Sequence, residues 1–173
     1  MNKGFLNPED VLDQLDLKAN MLAAEFGCGS GGFTIYLAKR LLEGLVWAID
    51  ILQEPLSALK SRQLLEGLNN IKIVRGDLEK PNGSTIPSSS LDLVVIPNVL
   101  FQAEDKTAII KEADRVLKNR GVLVVIDWLP ETNQGPEQKV SPKEVKDIAD
   151  KLELNFKKEI SAGKYHYGLV FEK

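Results

Sequence analysis

The sequence is short of the residues that announce special environments. One cysteine, Cys28, among 173 residues excludes an internal disulfide and points to a reduced, cytoplasmic setting. Lysine and arginine number 22 against 25 aspartates and glutamates, so a net charge of -3 exerts no general pull on phosphate backbones. Nucleic acid is therefore not favoured as a partner. No apolar run reaches the roughly 18 to 20 residues that span a bilayer, and the start MNKGFLNPED lacks both the apolar stretch and the cleavage site of a secretory leader. A soluble chain without a membrane partner or a metal is expected. Repeats and low-complexity tracts are also missing. With 43% hydrophobic residues, residues 1–173 are expected to form one domain, with 1–16 as a short helical extension.

What is present is a series of short apolar runs: MLAAEF (21–26), LVWAI (45–49), IKIV (71–74), LDLVVI (91–96) and VLVVI (122–126). They have strand length and little alternation, as strands buried on both faces do. Between them, Phe33 to Leu42, Pro55 to Leu65 and Lys106 to Leu117 carry apolar residues at helical spacing, the second opening on a proline. The alternation predicts a parallel sheet with helices on both faces. After a helix from Ser141-Pro142 to about Leu152, NFKKEIS and YHYGLVFEK flank Ala162, Gly163 and Lys164, which reads as a hairpin whose last strand runs antiparallel. Asn7-Pro8-Glu9-Asp10 reads as the cap and first turn of a short helix ending near Leu15. Lys80 to Ser90 and Pro130 to Pro142 are expected to be loops.

EFGCGSGG, residues 25–32, lies between the first strand and its helix. Four glycines allow a sharp turn and a close approach of ligand to backbone. Gly27, Gly29 and Gly32 fit a dinucleotide fingerprint. Glu25, Gly27, Gly29 and Gly31 fit an acidic G-x-G-x-G pattern. Cys28 is expected to fill space, since no partner stands out to make it a nucleophile. Asp50 ends the second strand, where a carboxylate accepts both hydroxyls of a ribose, a group common to NAD and S-adenosylmethionine. Three features favour the latter. Asp77 and the Leu78 N–H, after strand three, suit the edge of an adenine. Glu25 suits a cationic aminoacyl group and opposes a pyrophosphate. Nothing after the hairpin offers a second domain for hydride transfer.

With EFGCGSGG, AID at 48–50, RGDLEK at 75–80, LDLVVIPNVLFQ at 91–102 and RVLKNRGVLVVIDW at 115–128, the chain resembles the class I S-adenosylmethionine-dependent methyltransferases with a type 11 or 25-like domain. The resemblance runs from about Leu17 to Lys173. It implies a Rossmann-like, doubly wound, mostly parallel seven-stranded sheet of order 3-2-1-4-5-7-6 with strand 7 antiparallel. It further implies S-adenosyl-L-methionine as cofactor and S-adenosyl-L-homocysteine as product. Gly27 to Gly31 would pack on the methionine part, with Glu25 a partner of the loop or the amino group. Asp50 would bind the ribose, Ile51 cover the adenine, and Asp77 and Leu78 meet its edge. Pro97 and Asn98 would contact the methionine end. Lys118-Asn119-Arg120-Gly121 stands where the family often has Pro-Gly-Gly, a turn away from the cofactor.

Methyl transfer is an in-line displacement in which positioning supplies much of the catalysis. The acceptor is expected over the carboxyl ends of strands four and five, where Asn98, Phe101, Gln102, Asp127 and Trp128 lie. Tyr165 and His166 return to the same rim. Phe101 and Trp128 equally suit packing, and Asn98 and Gln102 equally suit capping the helix near Asp105. His166, the only histidine, and Asn98 are the candidate catalytic residues, with a surface position as the alternative for His166. Parity along the last strand puts the tyrosines with Leu169 and Phe171, and His166 opposite them. The N/D-P-P-Y/F signature of amino-methylating enzymes is absent at Ile96-Pro97-Asn98-Val99. A small-molecule acceptor is the leading reading. A protein or RNA acceptor and a noncatalytic binding module are the alternatives. Residues 130–142 are the candidate lid, and oligomeric state is open.

Overall fold

In the computed structural model, which describes residues 4–173, the apolar runs become the parallel centre of a seven-stranded sheet. In chain order these are β1 (Leu22–Phe26), β2 (Leu45–Asp50), β3 (Ile71–Arg75), β4 (Leu91–Pro97) and β5 (Leu117–Trp128), followed by β6 (Asn155–Ser161) and β7 (His166–Glu172). The order is β3-β2-β1-β4-β5-β7-β6. The five central strands pair in parallel, and β7 lies antiparallel to both β5 and β6, as expected of the terminal hairpin. Helices α1 (Pro8–Leu12), α2 (Thr34–Arg40), α3 (Gln53–Leu65), α4 (Lys106–Val116) and α5 (Pro142–Lys151) cover the sheet.

Two apolar layers follow. Leu12, Leu37 and Leu59, from α1, α2 and α3, pack on one face, and Ile110 and Ile148, from α4 and α5, on the other. Strand parity divides β7 between them: Tyr167, Leu169 and Phe171 join the α4–α5 layer and Val170 the α1–α3 layer. His166 is therefore aimed at the α1–α3 side.

Local boundaries differ from the sequence reading in two places. α3 starts at Gln53, two residues before Pro55. A proline is tolerated there because first-turn N–H groups have no intrahelical partner. Lys118 to Gly121 forms an irregularity inside β5: Leu117 pairs with Leu91, and the next partner of β4 is Val122, opposite Leu93. Arg120 takes φ 66° in this bulge, which lies at the end of the sheet away from the glycine loop.

The segment before the sheet is tied to its far edge. Asn7 caps α1 through its side chain, and Gln14 clasps β6 by exchanging hydrogen bonds with Ser161, both 2.8 Å. The Gly4 carbonyl accepts from the Lys164 N–H at 3.0 Å. Residues 4–8 thus form a strap at the carboxyl end of the parallel strands.

Candidate active site

The glycine loop is shaped by positive φ and by close approach. Gly27 has φ 71°, and a Cβ there would stand 2.3 Å from Val99 Cγ2. Gly29, at φ 49°, faces open space. The N–H groups of Gly27 and Cys28 both donate to the Ile49 carbonyl, locking the loop to β2.

Glu25 is enclosed by this turn. Its carboxylate accepts from the N–H groups of Phe33 (3.2 Å) and Thr34 (2.6 Å) and from the Thr34 hydroxyl (2.5 Å). Burial is the main cause that raises its pKa to about 7, against the lowering effect of these donors. Glu25 therefore anchors the start of α2 as well as lining the site. Cys28 packs in the α1–α3 core, and burial pushes its thiol up, as does the Glu25 charge. That is the environment of a space-filling residue, not of a nucleophile.

Asp50 uses each carboxylate oxygen once, accepting from Gly29 N–H at 2.8 Å and Leu52 N–H at 3.0 Å. Each oxygen retains a lone pair for a hydroxyl. Asp77 accepts from Glu79 N–H through Oδ1 at 3.0 Å. With Gly27, Gly29, Ile51 and Leu78, these carboxylates line a groove of about 390 Å³. The groove fits the nucleoside half of the expected cofactor: an acid pair, an apolar cover and glycine backbone that a Cβ would obstruct.

Gly27 also forms part of a second cavity, a chamber of about 560 Å³, together with Glu25, Cys28, Pro97 and Asn98. Asn98 is held at φ 55°, and its buried Oδ1 has no partner. At the far side lie Trp128 and His166, opposite one another in the β5–β7 register, with ring centroids 4.1 Å apart. His166 is only 4% exposed, both ring nitrogens lack partners, and burial lowers its pKa. The surface reading of this histidine is overturned.

Several expected acceptor residues fall outside the chamber. Asp127 is fully buried and braces the rim, accepting from Phe101 N–H (3.2 Å) and Trp128 N–H (2.8 Å), while burial raises its pKa to about 6. Phe101 thus serves the rim through its backbone. Gln102 turns to the groove and donates to the Asn98 carbonyl at 3.3 Å. Neither Asn98 nor Gln102 caps α4, since Asp105 does so through its own side chain. Tyr165 sits just before β7, with its ring 5.3 Å from that of Phe5, and so reaches the chamber only through Phe5.

Other walls were not read from the sequence. Phe5, Leu6 and Pro8 line the chamber from the strap, Phe33 and Tyr36 from the start of α2, and Arg62 from α3. Arg62 donates to the Gly31 carbonyl at 3.3 Å and pairs with Glu66 at 3.0 Å. The apolar Phe5-Leu6 pair beside the Asn7 cap was the available signal. The candidate lid at 130–142 contributes none of the lining. Gly135 (φ 83°) packs against the Trp128 ring, and the Tyr167 hydroxyl holds the Val140 carbonyl at 3.1 Å, so this loop buttresses Trp128 from behind.

Residues 24–125 match a family profile described as a methyltransferase domain. A demethylmenaquinone methyltransferase of Geobacillus stearothermophilus is 28% identical over 121 residues, which cover 69% of this chain and 50% of that protein. Its namesake in Staphylococcus aureus (strain MRSA252) is 31% identical over 119 residues, 68% of this chain and 47% of that one. The chain thus spans about half the length of the curated relatives it matches. The crystal structure of a SAM dependent methyltransferase from Aquifex aeolicus aligns with a TM-score of 0.87 at 26% identity, covering 97% of this chain and 90% of that one.

Proposed function

The chain belongs to the class I S-adenosylmethionine-dependent methyltransferases, and on that premise we propose that it methylates a small molecule bound in the chamber under the strap. The observation that carries this reading is that Gly27 is a wall of both cavities. A ligand lying past Gly27 has its nucleoside in the groove and its aminoacyl end in the chamber. Asp50 then takes the ribose hydroxyls, Asp77 and the Leu78 N–H the adenine edge, Ile51 the adenine face, and Pro97 and Asn98 the aminoacyl end. A cavity of about 560 Å³ lined by both aromatic and polar side chains has room for a small acceptor, and relatives named for demethylmenaquinone support one.

When bound, S-adenosylmethionine would supply an electrophilic methyl group to an acceptor heteroatom, whose proton must then be removed. His166 takes that proton at whichever ring nitrogen faces the chamber. It suits the task because burial keeps it neutral near pH 7. Trp128 and the strap line the space beside His166 and position the acceptor there.

Isothermal titration calorimetry tests the cofactor assignment: S-adenosylhomocysteine should bind the purified chain and NAD should not. NAD binding without binding of the thioether would reverse it. An acceptor screen that detects S-adenosylhomocysteine release then tests turnover and separates an enzyme from a binding module.

A further inference from the structure

Resting on that reading of the chamber, we propose that its acceptor is an uncharged, mostly apolar compound that presents a hydroxyl or N–H to His166 and Asn98. Charge in the chamber is one-sided. Among the described lining residues only Glu25 and Arg62 are charged, and both belong to the glycine-loop side: Glu25 lies near the end of β1 and holds the start of α2, and Arg62 bonds Gly31. Both are tied into that side, Glu25 by its bonds from Phe33 and Thr34 and Arg62 by its pairing with Glu66. From β1 to β7 is three strand spacings, roughly 14 Å at about 4.8 Å each. At that far side the described walls are Phe5, Leu6, Trp128 and His166, and none of these four carries a fixed charge. An ionic acceptor would meet no counter-charge among the described residues there, whereas a neutral one needs none.

Asn98, just after β4, and His166, on β7, hold unmet hydrogen-bonding capacity along the chamber. Asn98 Oδ1 can only accept, and a neutral imidazole offers one acceptor nitrogen and one donor. Buried polar atoms normally find partners, and a site built to bond a hydroxyl discriminates against an analogue that lacks it. The Trp128 ring, in contact with both His166 and Gly135, provides an apolar wall beside those atoms. The complement is an apolar, preferably planar body with a protic edge, of which a phenol or an enol is the simplest kind.

Three probes of one shape test this. Protein saturated with S-adenosylhomocysteine is titrated by calorimetry at pH 7 with 2-naphthol, 2-methoxynaphthalene and 2-naphthoate. The expected order is naphthol tightest, by at least about tenfold over the methoxy compound, with the naphthoate anion weakest. His166→Phe should erase the advantage of naphthol while S-adenosylhomocysteine affinity stays the same. Should that variant not fold, the wild-type ranking decides alone. Naphthoate binding best, the methoxy compound equalling naphthol, or no probe binding to the saturated protein would overturn the inference and leave the cofactor assignment standing. Failure of S-adenosylhomocysteine itself to bind would instead bring down the reading on which it rests.

Discussion

Asp50 carries two duties within one carboxylate. It ties Gly29 and Leu52 to the end of β2, and its remaining lone pairs face the groove. Asp50→Ala removes both, so S-adenosylhomocysteine affinity measured by calorimetry should fall by roughly tenfold to a few hundredfold, the worth of one to two bonds to a charged acceptor after losses are shared. Unchanged affinity in a folded variant would remove Asp50 from the ribose site. Glu25 shows the opposite balance. A position that sequence logic assigns to the ligand spends three hydrogen bonds on Phe33 and Thr34, so its first task is to hold the loop and helix together.

Among the elements, the connection from β3 to β4 contains an anchor that composition does not disclose. Glu112 of α4 is 4% exposed and accepts from Ser84 N–H (3.1 Å), the Ser84 hydroxyl (2.5 Å) and Arg115 (2.8 Å). Arg115 in turn donates to the Ile86 carbonyl at 2.8 Å. A Ser- and Pro-rich stretch is thereby pinned to a helix. Glu112→Ala leaves Ser84 and the guanidinium unmatched, so chemical denaturation should show a loss of roughly 3 kcal/mol. S-adenosylhomocysteine affinity should stay within twofold at temperatures where the variant is folded, because no member of this cluster lines the groove or the chamber. An equal loss of affinity would mean that the loop communicates with the cofactor.

Over the whole molecule, two buried carboxyls with raised pKa values make stability depend on pH. Between the ordinary 4.5 and about 7, native Glu25 keeps a proton that the unfolded chain has released, so stability is greatest at the acidic end and declines as pH rises. Asp127 acts in the same direction between 3.8 and about 6. His166 opposes them below 6.5, where the unfolded chain binds a proton that the buried ring resists. Comparison with Glu25→Gln isolates the first effect: from pH 5 to pH 8 the wild type should lose about 3 kcal/mol more than the variant. Parallel profiles in denaturant titrations would show that Glu25 titrates normally. The net charge of -3 predicts weak binding to random RNA at physiological salt, measured by fluorescence anisotropy. Tight binding with a steep salt slope would favour an RNA acceptor over a small one.

The parallel core, the antiparallel last strand and the groove were legible in the sequence because each depends on short-range pattern. Buried strands need apolar runs, a turn at positive φ needs glycine, and a ribose needs a carboxylate at a strand end. The face taken by His166 was legible too, since parity along β7 follows from the alternation of Tyr167, Leu169 and Phe171. The chamber was legible only in part: Asn98, Trp128 and His166 were expected on one rim, but Phe5, Tyr36 and Arg62, drawn from separate parts of the chain, were not. No local period links a strap residue to a histidine some 160 positions later. Only the clasp of Gln14 on β6 and the pairing of β5 with β7 bring them to one rim. Local chemistry therefore determined the groove that we propose takes a nucleoside, and long-range packing decided the walls of the chamber beside it, because a cavity is defined by surfaces that meet only when the sheet and its edges are assembled.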